Sequence, residues 1–67
     1  MTKIVDRILI MLSSGDYSIE EIASTLKIDS EVALNVITFL MEFDFVRKEN
    51  SKLRITEKGL RFIKNLK

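Results

Sequence analysis

The side chains best suited to chemistry in this sequence are the Lys and Arg residues of its last third. Residues 47–67 contain eight Lys or Arg residues against two acids, a net charge of +6, whereas residues 1–46 contain three against eight, a net charge of −5. Such a separation can place positive potential on one side of a small protein, where it attracts partners that carry phosphates. The alternative is a solvated surface whose charges are sorted along the sequence without a binding role.

Several of these cations surround a short polar pair. The predicted phosphate-contacting residues in this part of the chain are Arg47, Lys48, Asn50, Ser51, Lys52 and Arg54. Asn and Ser side chains can donate hydrogen bonds to phosphate oxygens, as Lys and Arg do. Further along, Lys58, Arg61 and Lys64 recur at every third position, a spacing typical of either a solvated stripe or a phosphate-binding face of a helix.

The residues that catalysis or metal binding would require are absent from the sequence or stand alone in it. The sequence contains no His and no Cys, so the commonest metal ligand, the usual general base and any thiolate are absent. Gly15 and Gly59 stand alone, whereas a loop that cradles phosphates needs several glycines. Glu20 and Glu21 are neighbours on the outside of a predicted helix and are expected to be solvated. We therefore expect a protein that is not an enzyme and has no cofactor and no metal.

The length and apolar pattern indicate one domain outside the membrane. A chain of 67 residues lies near the lower limit at which a hydrophobic core alone supports folding. No apolar run approaches the roughly 20 residues that span a bilayer, and the first residues lack the layout of a cleavable signal. We expect a single soluble domain over residues 1–67, in the cytoplasm.

The first half of the chain predicts two helices joined to a third. Apolar spacing predicts a helix from Thr2 to Leu12, which ends at residues 13–16, where Gly15 supplies backbone freedom. Tyr17 is predicted in a short extended piece. Ser18 and Glu21 have the spacing of a capping box, which predicts a second helix through Leu26.

The third predicted helix is the most apolar stretch of the sequence. It starts after Asp29, whose carboxylate is expected to accept from free backbone amides, and ends near Phe43. Only a narrow polar strip remains on it, formed by Glu31, Asn35, Thr38 and Glu42. These four residues share one edge of the helix because they are three or four positions apart. We expect the helix to be buried on most of its sides.

After this helix the apolar period changes to that of strands. Val46 to Glu49 and Leu53 to Thr56 are predicted strands, and Asn50-Ser51 between them predicts a β-hairpin turn. Thr56 is then expected to cap a last helix at about residues 57–66, with apolar positions at Leu60, Phe62, Ile63 and Leu66. The predicted fold class is mainly α with a small β-hairpin.

This order of elements resembles the winged helix-turn-helix domains of small archaeal and bacterial transcriptional regulators. The most specific part is Arg54 to Ile63 (RITEKGLRFI), which looks like the junction in those regulators between the wing and the last helix. Ser18 to Leu26 and Ile28 to Ser30 look like their helix-turn-helix. The resemblance implies a helix-turn-helix at about 19–43, a two- or three-stranded wing at about 46–56 and a C-terminal helix at about 57–66. This fold serves DNA-binding regulators and protein-docking modules alike.

The resemblance implies base-reading positions at Ser30, Glu31, Asn35 and Thr38. Here the sequence departs from the family pattern, because no Lys or Arg lies between Asp29 and Val46. Asn35 can read adenine and Thr38 can contact a thymine methyl group, but Glu31 and Glu42 repel phosphates unless one of them accepts from a cytosine amine. The expected function is therefore double-stranded DNA binding through backbone phosphates, mainly by the wing and the last helix. The alternative is a protein-interaction module that docks through its apolar third helix.

The high apolar content also predicts self-association. Apolar residues make up 46% of this small chain, so Phe39, Met41, Phe43 or parts of the first and last helices are expected to stay exposed. Large exposed apolar patches usually mark a partner surface, and the commonest closed assembly is a symmetric homodimer. We expect a homodimer; the alternative is a compact monomer with scattered apolar groups.

Overall fold

The computed structural model describes residues 3–65 of the chain. In chain order its elements are α1 (Ile4–Ser13), α2 (Ile19–Leu26), α3 (Ser30–Glu42), β1 (Val46–Glu49), β2 (Lys52–Ile55) and α4 (Glu57–Lys64). This order confirms the predicted fold class, mainly α with one hairpin. None of the helices described in residues 3–65 could span a lipid bilayer.

One cluster of buried aliphatic side chains forms the core. Every element except α4 contributes fully buried side chains to it. Its fully buried members are Ile8, Leu9, Leu12, Ile22, Ile37, Leu40, Val46 and Leu53. Phe62 and Ile63 of α4 pack against this cluster and are partly buried. Burying one such side chain contributes about 1.5–3 kcal/mol. Because every element is fixed to the same cluster, the positions of the polar side chains on the surface are set by it.

The end of α1 differs from the prediction. The helix continues one residue beyond Leu12, and the hydroxyls of Ser13 and Ser14 donate hydrogen bonds to backbone carbonyls three residues earlier. Gly15 does not adopt a positive φ angle, so its predicted role as a flexible helix terminator is wrong. The Ser13 hydroxyl thus satisfies the Ile10 carbonyl near the end of the helix, and the Ser14 hydroxyl adds a second bond to the Met11 carbonyl, which also accepts the Ser14 N–H. Thr2, the predicted start of the helix, lies outside the described residues.

The connection from α1 to α2 runs beside the hairpin. Tyr17 forms two backbone hydrogen bonds with Leu53, of 3.3 and 2.7 Å, which confirms the predicted extended piece. The capping box is also confirmed: Ser18 Oγ accepts from the Glu21 N–H at 3.1 Å, and Glu21 Oε1 accepts from the Ser18 N–H at 2.8 Å. The start of α2 is thereby fixed next to β2.

α3 is less buried than its sequence predicts. Only Ala33, Ile37 and Leu40 are buried, because α3 packs on α2 and β1 along one side and so small a chain has too few other elements to cover the rest. The expectation that this helix is buried on most sides is therefore wrong. Asp29 is the N-cap residue, as predicted, but its side chain makes no capping hydrogen bond.

The hairpin has a two-residue turn and a regular register. Asn50 takes the left-handed conformation, with φ of 59°, which the sequence anticipated at this turn. β2 starts at Lys52, one residue earlier than predicted, and ends at Ile55 because Thr56 is already the N-cap of α4. Arg47 and Arg54 are directly opposite each other across the two strands. Side chains alternate along a strand, so this pair lies on the face away from the buried Val46 and Leu53.

Thr56 begins α4 as predicted. Its Oγ1 accepts from the Gly59 N–H at 3.1 Å and donates to the Asp44 carbonyl. These two bonds link the start of α4 to the chain between α3 and β1. Gly59 is buried at this contact, whereas Leu60 is exposed. Leu66, which was predicted in the same helix, lies outside the described residues.

Candidate nucleic-acid interface

The residues predicted to contact nucleic acid fall on two parts of the surface. Ser30, Asn35 and Thr38 lie along α3, and the others lie on the hairpin and α4: Arg47, Lys48, Asn50, Ser51, Lys52, Arg54, Lys58 and Arg61. All eleven are exposed. Exposure makes each accessible to a ligand, so the charges and hydrogen bonds around each one decide what it can do.

The outer edge of α3 carries negative charge and no cation. Glu31, Asn35, Thr38 and Glu42 are all exposed, and Thr38 Oγ1 donates its hydrogen bond to the Leu34 carbonyl at 2.8 Å. The Thr38 hydroxyl therefore donates within the helix and not to a ligand, as Ser and Thr hydroxyls often do in helix interiors. Of the four, Asn35 retains both hydrogen-bond donors and acceptors for a base edge.

Arg54 is the most strongly paired cation of the hairpin. Its Nη2 lies 2.9 Å from Asp16 Oδ2 and its Nε lies 3.3 Å from the same oxygen, while Nη1 lies 3.2 Å from Glu49 Oε1. The neighbouring carboxylates raise the pKa of Arg54, with Asp16 the main cause. A phosphate would have to compete with two carboxylates for this guanidinium.

Lys52 and Arg47 also have acidic neighbours, but with fewer contacts. Lys52 Nζ lies 3.1 Å from Glu21 Oε1, the oxygen that completes the capping box. Arg47 Nε lies 3.5 Å from Asp44 Oδ1. Exposed ion pairs of this kind are worth at most about 1 kcal/mol, so a phosphate can replace the carboxylate without a large loss of stability.

Lys48 differs from the other cations of the hairpin. It is directly opposite Leu53 in the register and borders a shallow groove that also involves Ile19, Glu20 and Ser51. Within residues 3–65, no carboxylate forms an ion pair with Lys48. The polar tip residue Ser51 is therefore next to the hairpin cation whose charge is least compensated.

The cations of α4 have different roles. Lys58 Nζ donates to the Phe43 carbonyl at 2.9 Å and lies 5.1 Å from the centre of the Phe45 ring. A cation that binds a terminal carbonyl stabilises the C-terminal end of a helix, so Lys58 has a structural function at the end of α3. Arg61 Nη2 is 4.0 Å from Glu57 Oε2, a weak pair that leaves its charge accessible.

The sequence did not reveal the two acids that pair with Lys52 and Arg54 of the hairpin. Asp16 and Glu21 are separated from their partners by 38 and 31 positions, too far for a local pattern to reveal. The available signal was Tyr17, since an extended residue just before a capped helix can pair with a strand and bring its neighbours to the sheet. The consequence is that fewer wing charges are free than the count of Lys and Arg indicates.

The hydrogen bonds and ion pairs of Asp16 and Glu21 predict that the protein becomes less stable at acidic pH. The Arg54 guanidinium holds the pKa of Asp16 below its usual range, and the Ser18 N–H, followed by Lys52, holds that of Glu21 below its own. A depressed pKa in the folded state adds stability above the unfolded pKa, about 4 for both groups, and this contribution is lost as the pH falls through the folded pKa. We expect the urea midpoint to fall between about pH 5 and pH 2 for this reason.

The matched variant is Asp16→Asn with Glu21→Gln, which removes both titrations while Gln keeps the capping box. Its urea midpoint is expected to change less over the same pH range than that of the parent protein. Glu20→Gln serves as the control, because Glu20 is exposed and forms no ion pair within the described residues. Equal pH dependence of the double variant and the parent would contradict the assignment.

Comparison with known proteins places this geometry in a family. The winged helix-turn-helix family matches residues 1–67. An uncharacterized protein of Archaeoglobus fulgidus is 34% identical over 62 residues, which are 92% of this chain and 70% of that protein.

Two solved structures have the same fold. ZitR of Lactococcus lactis superposes with a TM-score of 0.86 and 25% identity over 96% of this chain and 46% of ZitR. The adhesin competence repressor AdcR of Streptococcus pyogenes superposes with a TM-score of 0.82 and 20% identity over 96% of this chain and 53% of that repressor. The chain thus spans about half the length of these two structures. Since the family match extends over residues 1–67, the chain belongs to the winged helix-turn-helix family, as its motifs predicted.

Proposed function

We propose that this protein is a DNA-binding transcriptional regulator that holds double-stranded DNA mainly by its backbone phosphates, through the wing and α4. The observation that carries the proposal is the concentration of cations on these two elements, within a winged helix-turn-helix fold, while α3 has none. The likeness in fold to a repressor, AdcR, supports the same function.

We infer unequal roles for the proposed phosphate ligands from the contacts that each one makes within the protein. Lys48, without an ion pair among the described residues, contributes most, and Ser51 and Asn50 add hydrogen bonds at the tip of the wing. Arg47, Lys52 and Arg61 contribute by exchanging a weakly held carboxylate for a phosphate. Arg54 and Lys58 contribute least, because the first is held by two carboxylates and the second by the Phe43 carbonyl.

Sequence specificity is weak in this proposal. Phosphate contacts position a protein on DNA but carry no base information. The outer edge of α3 offers Asn35 for an adenine edge, while Glu31 and Glu42 oppose a close approach to the phosphates that line the major groove. Ser30 is exposed at the start of α3, and in this proposal it donates a hydrogen bond to a phosphate or a base.

The test is the salt dependence of binding to labelled duplexes of random and defined sequence, followed by fluorescence anisotropy. With about three or four phosphate contacts, log affinity is expected to fall by about 3 for each tenfold rise in salt, since each contact contributes about 0.9. Affinities for the different duplexes are expected to lie within about tenfold of each other. Absence of binding to any duplex at low salt would contradict the proposal and favour a protein-interaction module.

The homodimer is proposed through a groove between α1 and α4. Ile10 and Leu60, which are 50% and 41% exposed, line this groove of about 650 Å³ together with Ile63, and its rim carries Glu57, Arg61 and Lys64. In a two-fold symmetric interface the same patch faces itself. Glu57 of one copy can then face Lys64 of the other, so the patch is self-complementary in charge as well as apolar.

Sedimentation tests this interface. At about 100 µM we expect the parent protein to sediment as a dimer. The double variant Ile10→Ser, Leu60→Ser is expected to sediment as a monomer, because a dimer that loses its buried apolar contacts is too weak to form at this concentration. Phe39→Ala with Phe43→Ala is the control on the exposed side of α3 and is expected to remain dimeric. A monomeric parent protein would contradict the proposal.

A further inference from the structure

The exposed side of α3 has apolar side chains that phosphate binding does not use. Val32, Phe39 and Phe43 are 44%, 47% and 49% exposed, and the two phenyl rings lie 4.8 Å apart between their centroids. Contiguous apolar area on the surface of a small protein usually marks a site for a partner. This surface is separate from the α1–α4 groove, because none of these three residues lines it.

The spacing of these residues indicates the shape of the partner. Val32, Val36, Phe39 and Phe43 follow each other at steps of four, three and four residues; Val36, between the exposed members, is partly buried. This is the spacing with which one helix presents an apolar seam to another helix lying along it. We call these four residues the α3 seam. An extended strand or a compact small ligand would not match four apolar positions repeated along a helix.

The charges beside the α3 seam indicate the chemistry of the partner. Glu31 and Glu42 lie on the neighbouring polar edge with Asn35, and α3 contains no Lys or Arg. Asp29 precedes the helix, whereas Asp44 after it is paired with Arg47, so the uncompensated acids lie along the helix itself. Charges that flank the seam of paired helices decide which partner is accepted. The acids next to the α3 seam disfavour an acidic helix and an anionic surface, and they favour a helix whose own seam is flanked by Lys and Arg.

We propose that the α3 seam docks an amphipathic basic helix of another protein, with an apolar stripe along Val32, Phe39 and Phe43 and with Lys or Arg opposite Glu31 and Glu42. The partner uses none of the wing cations, but its Lys or Arg side chains occupy the outer edge of α3 that also carries Asn35, so docking of the partner excludes a base contact by Asn35. The proposal goes beyond DNA binding and does not depend on it, since the docking surface is complete without DNA.

The test uses two labelled synthetic peptides of about 18 residues, which is about five helical turns. Both have Leu at the a and d heptad positions; one has Lys and the other Glu at the remaining positions. Fluorescence anisotropy, in the absence of DNA, is expected to show binding of the lysine peptide to the parent protein and none of the glutamate peptide at the same concentrations. Failure of the lysine peptide to bind would overturn the proposal.

Variants of α3 separate docking from general attraction between opposite charges. Phe39→Ala with Phe43→Ala is expected to weaken the lysine peptide at least tenfold, as loss of central aromatic anchors does, while duplex binding stays at the parent level. Leu34→Ala is the matched control, because Leu34 is exposed on α3 but lies outside the α3 seam; its peptide affinity is expected to equal that of the parent. Equal peptide affinity of the double Phe variant and the parent would overturn the proposal.

The acids beside the α3 seam and the oligomeric state provide two further measurements. Glu31→Gln with Glu42→Gln changes only exposed side chains and so retains the fold; it is expected to weaken the lysine peptide and to flatten the salt dependence of its binding. An unchanged salt dependence would mean that the acids do not face the partner, which overturns the proposed chemistry. If the double Phe variant instead converted a dimeric parent into a monomer, the occupant would be a second copy of this chain, and the proposal would be wrong.

Discussion

Gly59→Ala is expected to lower the free energy of unfolding by about 2 kcal/mol, in the range that overpacking a tight contact costs. A Cβ added at Gly59 would lie 2.5 Å from the Phe45 carbonyl oxygen and 2.7 Å from Ile55 Cγ1. The carbonyl cannot simply move aside, because it accepts the Thr56 N–H at 3.0 Å. Ala is a better helix former than Gly by about 1 kcal/mol. We expect this gain to be smaller than the free energy lost when the added Cβ pushes α4 away from Phe45 and Ile55.

Urea and thermal unfolding of the two proteins measure this difference. For a domain of this size about 2 kcal/mol corresponds to a melting temperature lower by roughly 10 °C. Gly15→Ala is the matched control, since the nearest atoms to its added Cβ belong to the Tyr17 side chain at 3.7–3.8 Å and its φ angle is not positive. We expect the control to be as stable as the parent or up to about 1 kcal/mol more stable. Equal stability of Gly59→Ala and the parent would show that α4 does not pack this closely.

Removing two wing cations, Lys48→Ala with Lys52→Ala, is expected to weaken binding to every duplex by at least about tenfold at low salt and to reduce the salt slope by nearly 2. The Lys48 substitution removes a hairpin cation that forms no ion pair within residues 3–65. Loss of Lys52 removes a second cation and also leaves the carboxylate of Glu21 uncompensated beside the wing. Anisotropy titrations over a series of salt concentrations measure both the affinity and the slope.

Two other double variants serve as controls for the wing pair. Asn35→Ala with Thr38→Ala is expected to change affinity little, and only for particular sequences, because any base contact by α3 acts at single positions. Lys3→Ala with Arg7→Ala removes the same net charge from exposed residues outside the wing and α4 and is expected to leave the salt slope closer to that of the parent. If the wing pair bound random duplex as tightly as the parent, phosphate binding by the wing would be refuted.

Local interactions explain why the elements themselves were predictable. The Ser18–Glu21 capping box, the Thr56 cap and the left-handed Asn50 each depend on residues within three positions of one another. Such short-range preferences act before tertiary contacts form, and together with the change in apolar period they determined the order of helices and strands. In the family motif at Arg54 to Ile63, Thr56 belongs to the same class because it caps α4 locally, whereas Gly59 is required by its tertiary contact with the Phe45 carbonyl.

Burial was predicted less well than helix formation. α3 was correctly placed from its apolar spacing, yet Val32, Phe39 and Phe43 are about half exposed. The sequence determines how many apolar residues a helix has, but the number of neighbouring elements decides how many of them are covered. In a chain of this length only one side of α3 is covered, and the uncovered side became the α3 seam.

The sequence alone determined the fold, the bounds of its elements to within about two residues among those that the structure describes, and the uneven division of charge between the two parts of the chain. Only the tertiary structure decided which charges remain available, since the Tyr17–Leu53 pairing brings Asp16 to Arg54 and the capping box brings Glu21 to Lys52. It also decided that Lys58 serves the end of α3. The physical reason is the same in each case: these contacts join residues far apart in the chain, so they form only when the shared core brings their elements together.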